Sequence, residues 1–229
     1  MTTTSSPQTG FTPVIEPRTG PAGSNRTVRE WAIVSACLAP VVLTGAYLVA
    51  DILQRVSYSP VRQTISAMAG HAGTDRWIMT GGIFLVGGCY LVTAAGLTGA
   101  RASARVLLMV AGLAGIGIAA FPEPATGSTP WHLAWTVLGA ITITVWPAFA
   151  ARRTRRRPLV LSIYGSAAVT TVFIALLGWL AIETQGGSML GLAERLTSSV
   201  QTSWPFVVAV AQRRARTPGR PAGSVQQQW

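Results

Sequence analysis

Apolar residues fall into six long stretches along this chain, separated by polar connections. The first, 31–50, carries no charge and is long enough, at about 1.5 Å per residue, to cross the roughly 30 Å hydrocarbon core of a bilayer. The same pattern predicts spans at 77–97, 106–121, 131–151, 159–182 and 189–212. A short interfacial helix is predicted from Pro60 to about Ala69, because Ser59 can cap it and Pro60 has no amide to lose at the first helical position. The turn around Arg101 and Arg105 is short enough to make its flanking helices antiparallel neighbours. In PEPATGSTP, 122–130, prolines stop one helix before the next begins. The expected architecture is all-α, a polytopic membrane six-helix bundle over 30–214. Tails at 1–29 and 215–229 are expected to be disordered, since they hold too little apolar surface to offset the entropy of ordering.

Composition agrees with a bilayer as solvent. Of 229 residues, 49% are hydrophobic and 11% charged, with mean hydropathy +0.42, too apolar for a surface that meets water on all sides. A net charge of +11 would suit a nucleic-acid binder, but the arginines flank apolar segments and form no patch on a soluble fold, so nucleic acid is not an expected partner. Their placement sets an orientation instead. With the N-terminus inside, only Arg55, Arg62, Arg76 and Arg195 of the 18 basic residues fall outside, and the RRTRRR run at 152–157 is cytoplasmic. The positive-inside rule then puts both termini in the cytoplasm, N-in and C-in, of a protein of the cell membrane. Asp51, Asp75, Glu123, Glu183, Glu194 and both histidines gather at the outer face, so a site is expected to open outward.

Polar residues inside or beside the spans are the candidates for chemistry. Glu194, Ser198 and Gln201 recur at helical spacing along the last span, a face that lipid would reject. Ionisable groups in spans usually look into the bundle or a wet cavity. The plainer alternative sets Glu194 and Arg195 at headgroup level, where they anchor the helix end. His132 opens the fourth span, with Glu123 upstream across the proline-rich loop. A carboxylate returning toward an imidazole can orient it as a base, whereas a place in the aromatic belt beside Trp131 and Trp135 is the competing reading. Candidate catalytic residues are therefore His132, Glu123 and Glu194. Candidate ligand-binding residues are Arg62, His71, Asp75, Arg195, Ser198 and Gln201, with His71 in GHAGTDRW equally readable as an exposed loop residue.

Other chemistries lack their motifs. Two histidines on separate loops, without paired spacing, fall short of the three or four ligands of a metal site, so no metal is expected. The chain has no Walker loop, no GxSxG and no dinucleotide fingerprint, and no cofactor is expected. GLAGIG at 112–117 lies inside a span and follows no strand, so close helix packing explains its glycines better than phosphate does. Ala111, Gly115 and Ala119 form a small-residue ridge on the third span, and Gly81, Gly82, Gly87 and Gly88 thin the second. Cys37 and Cys89 lie within spans and read as small apolar fillers.

The segments YSPVRQTISAMAG at 58–70, DRWIMTGGIFLVGG at 75–88, FPEPATGSTPWH at 121–132 and GLAERL at 191–196 resemble the domain of unknown function 998 family of bacterial multi-pass membrane proteins, over roughly 31–214. Ser59, Pro60, Thr64, Ile65 and Ser66 match its motif after the first span, Phe121, Pro122 and His132 its third-loop motif, and Glu194 with Arg195 its last-helix motif. The resemblance implies a six-helix bundle and no established activity. Three functions fit the polar outer face. One is a protein that binds or carries a membrane lipid or small amphiphile through an outward pocket. Another is an outer-leaflet enzyme acting on a lipid-linked substrate, with His132 as general base. The third is an accessory subunit whose partner is a second membrane protein.

Overall fold

The computed structural model describes residues 28–55, 57–151 and 158–215. The tails read as disordered, apart from Val28, Arg29 and Ala215, and the RRTRRR connection lie outside the described residues. Within them the chain forms seven α-helices and no strand: α1 Glu30–Leu53, α2 Ile65–Ala69, α3 Trp77–Gly96, α4 Ala102–Ala120, α5 Pro130–Ala150, α6 Ile163–Glu183 and α7 Leu190–Arg214. A 3-10 turn, Leu159–Leu161, precedes α6. Five helices, α1, α3, α4, α5 and α6, have the length and apolar composition to cross a membrane. α7 is as long, but Glu194, Arg195 and a run of Ser, Thr and Gln interrupt it.

Burial is inverted relative to a protein in water. α1 buries Ala32, Ser35, Ala36 and Ala39 and exposes Val34, Leu38, Val41 and Leu48; α4 buries Ala104, Ala111 and Ala114 and exposes Val106, Met109 and Leu113. Such a distribution suits a solvent as apolar as leucine, in which close approach of small residues holds helices together. The long helices close a ring, each packed on the next in the order α1, α3, α4, α5, α6, α7, with α7 returning to α1 and also touching α5. Backbone meets backbone where α3 crosses α4. A Cβ at Gly87 would sit 2.6 Å from the carbonyl oxygen of Gly112, so both helices need glycine there. By contrast Gly81 and Gly88, read from sequence as packing residues, face open space.

The two ends of the ring differ. At one end Arg105 donates to the carbonyls of Ala94 at 2.7 Å and Ala95 at 3.2 Å, and Trp146 Nε1 to Ala104 O at 2.7 Å. Arg213 pairs with Glu30 across the same end at 2.7 Å. Arg105 thus lies inside α4, which starts at Ala102 rather than 106, because its guanidinium closes the frayed carbonyls of α3. At the other end the α1–α3, α4–α5 and α6–α7 connections converge. There α2 begins at its cap Thr64, whose hydroxyl accepts from the Ala67 amide at 2.9 Å, and not at Ser59. Residues 59–63 form a turn instead, with the Arg62 and Gln63 amides on Ser59 O at 3.1 and 2.8 Å.

Candidate functional site

α7 organises the end where the three connections meet. Successive residues of a helix project about 100° apart, so neighbouring Glu194 and Arg195 face different surroundings. Arg195 turns toward α1 and the α1–α2 connection and is buried. One of its terminal nitrogens, Nη1, donates to Pro60 O and Gln63 O, both at 2.8 Å, and to Gly191 O at 3.1 Å. The other, Nη2, pairs with Asp51 at 2.7 Å and donates to the Tyr58 hydroxyl. The rings of Tyr47 and Tyr58 lie 5.7 and 6.0 Å from the cation. This one side chain ties the end of α1, the connection and α7 into a unit. Burial pushes the Tyr58 phenol up to about 12, against the lowering pull of Arg195.

Glu194 turns the other way, under α2. Its carboxylate accepts from the Ile65 amide and, at 3.4 Å, from the Ser66 hydroxyl, while Leu192 N donates to Val61 O at 3.0 Å beside it. A carboxylate is a good partner for the unsatisfied amides that open a helix. α2 is held at its far side too. His71 N donates to Glu123 O at 2.8 Å, and Gly70 packs so closely on that carbonyl that an added Cβ would lie 2.9 Å from it.

Beneath α2 lies a half-open cavity of about 180 Å³ in the middle of the ring, lined by all six long helices. Its walls on α4 and α6 are apolar, and α3 adds Ile83 and Val86 together with the ring and phenol of Tyr90. Polar groups enter from α7 as Glu194, Thr197, Ser198, Gln201 and Thr202, from α5 as Thr136 and from the roof as Ser66. Gln201 reaches across to Thr144 Oγ1 at 3.0 Å, whereas Thr136 Oγ1 is buried without a partner. Glu194 is the one charged residue among the lining.

His132 and Glu123 come together beside this cavity, outside its lining. His132 is buried in the first turn of α5, where Thr129 caps its amide at 3.2 Å. Its Nδ1 lies 2.8 Å from Phe121 O, which assigns the proton to Nδ1 and turns Nε2 toward Glu123 Oε1 at 3.5 Å. Burial raises the Glu123 carboxyl above its usual range, and the facing imidazole draws it back down. Arg62, His71 and Asp75 are exposed and make no side-chain hydrogen bond or ion pair among the described residues. No three His, Cys, Asp or Glu residues gather into a metal-holding group among the described residues. Sequence spacing singled out Glu194, Ser198 and Gln201 as one face, and all three line the cavity. Asp51, Tyr58 and Thr136 were not singled out. Asp51 meets Arg195 across 144 positions of sequence, a separation that no local pattern reports.

An apolar ring of helices enclosing a roofed, one-sidedly polar cavity is the build of an integral membrane protein. The chain matches the family described as protein of unknown function, DUF998, over residues 33–211, and it belongs to that family. Neither a search of curated proteins nor one of solved structures found a match.

Proposed function

We propose that the chain crosses the membrane six times with both termini in the cytoplasm, and that it binds or carries a small amphiphile or part of a membrane lipid in the central cavity. The observation that carries this reading is the cavity's two-sided lining, apolar on α4, α6 and most of α3 and polar along α7. Its volume of about 180 Å³ is close to that of an engineered cavity of about 150 Å³ that binds benzene, so it suits a ring or the end of a chain and is too small for a whole phospholipid. α7 enters as the sixth span because its polar face is turned to protein and cavity, which removes lipid's objection to it. Native mass spectrometry of protein extracted from its own membranes tests the binding. Wild type carries an added small-molecule mass and Ala140→Phe, which fills the cavity, does not; a wild type without cargo overturns the reading. For orientation, Cys37 and Cys89 are first replaced by serine. A cysteine at Thr154 then stays unlabelled by an impermeant reagent on intact cells and one at His71 is labelled, and the opposite result reverses the topology.

The His132–Glu123 pair supports a second reading, an outer-leaflet enzyme acting on a lipid-linked substrate with His132 as general base. The carboxylate of Glu123 faces the imidazole and can orient it, which is what this reading rests on, although the pair stands outside the cavity lining. An unchanged lipid profile in cells carrying His132→Ala would remove it.

A further inference from the structure

Charges at the roofed end do not balance inside the protein. Asp51 neutralises Arg195 at 2.7 Å, and His132 faces Glu123 at 3.5 Å. Glu194 is left over. The terminal nitrogens of Arg195 are taken by Asp51, Tyr58 and three backbone carbonyls on the side away from the cavity, and no Arg or His lines the cavity. A carboxylate offers about four lone-pair sites, and among the described residues donors reach Glu194 at two places, Ile65 N and Ser66 Oγ. Its spare acceptor capacity faces the cavity. Among the described residues Ser198 makes no side-chain hydrogen bond, and the buried hydroxyl of Thr136 has no partner. A buried charge without a counter-charge is costly, as is a buried polar atom without a hydrogen bond.

Resting on the reading of the cavity as an amphiphile site, we infer that its ligand carries a protonated amine, which Glu194 receives at the polar end while the attached chain or ring lies against Ile83, Val86, Leu177 and Leu180. An ammonium group has three donors and no acceptor. It therefore matches the Glu194 carboxylate and the Ser198 hydroxyl, and no cationic residue lines the cavity to repel it. An anionic head fits the same inventory less well, since no Arg or His lines the cavity to receive it. An alcohol makes the hydrogen bonds without the charge pairing.

Hexylamine, hexan-1-ol and hexanoate differ only at the head and serve as probes of the full-length protein in nanodiscs at neutral pH. Thermal unfolding of wild type is compared with that of Ala140→Phe, which subtracts partitioning into the lipid. Hexylamine is expected to raise Tm and to bind about tenfold more tightly than hexanol, the size of one charge-assisted hydrogen bond. Hexanoate is expected to give no shift beyond the filled variant. Glu194→Gln retains an amide oxygen for Ile65 N and brings hexylamine down to the level of hexanol. Should that variant fail to fold, Ser198→Ala, which leaves the roof contacts in place, lowers amine affinity in the same direction. Equal binding of amine and alcohol, or tighter binding of hexanoate, overturns the amine assignment and leaves the cavity reading standing. If none of the three probes separates wild type from Ala140→Phe, the cavity reading fails with it.

Discussion

Among the described residues Arg195 ties together more elements than any other side chain, because its guanidinium reaches α1, the α1–α2 connection, α2 and its own helix at once. Removing one partner of a buried ion pair costs about 3–5 kcal/mol, most of it the price of the charge left behind. Arg195→Ala should therefore lower the unfolding temperature sharply in detergent. Arg195→Lys should not restore it, since an ammonium cannot serve Asp51 and two carbonyls in a fixed fork. A variant that unfolds with wild-type Tm would refute this role. Tyr58 adds a pH dependence. Its phenol stands at about 12 in the folded chain against an ordinary 10.0, so the stability tied to the neutral phenol is complete below about 10 and is lost as pH rises through 12. Tyr58→Phe should flatten the stability curve between those two values, measured by circular dichroism across alkaline buffers. Adjacent Glu194 and Arg195 were visible in the sequence as a pair. Their opposite destinations were not, because spacing along one helix says which way a residue points relative to its neighbours and nothing about what waits there.

Among the elements, α2 is the one whose position depends on others. Five residues cannot sustain a helix in isolation, and this one survives by its cap on Thr64, by Glu194 under its first amides and by Glu123 beyond its end. Thr64→Ala should remove about 1 kcal/mol of that support. Hydrogen exchange at the Ala67 amide should then speed up roughly fivefold while exchange in α3 and α4 stays unchanged. Equal acceleration throughout would mean that α2 is not a separate unit. The apolar stretches gave the order and rough extent of all five apolar spans, but their ends shifted by up to four residues: α4 starts at 102 and not 106, and α6 at 163 and not 159, where 159–161 form a 3-10 turn. The short helix was misjudged at its start. Ser59 and Pro60 are good opening residues by local chemistry, yet the carbonyls of Pro60 and Gln63 are claimed by Arg195 from a distant helix, which fixes them in a turn. Glycines show the same limit: Gly87 and Gly112 meet at the α3–α4 crossing, while Gly81 and Gly88 look identical in sequence and touch nothing.

The molecule as a whole is a ring that only its last helix completes. α7 touches α1 and α6, supplies the polar side of the cavity and carries the arginine that neutralises Asp51. A chain ended at residue 189 should accordingly keep its five apolar helices but lose its compact form, running as an aggregate on size exclusion in mild detergent. Co-expression of 190–229 as a separate piece should restore a monodisperse species; a well-behaved truncated chain would show that the ring does not need closing. The polarity of α7 also imposes an order on biogenesis. A segment that interrupts its apolar run with Glu194 and Arg195 is a poor substrate for the translocon when it leaves the ribosome alone. On the six-span reading proposed above, it becomes acceptable once Asp51, Tyr58 and the Pro60 carbonyl are in place to receive Arg195. On that reading insertion of α7 would be a proofreading step, in which earlier helices that have docked correctly admit the last one.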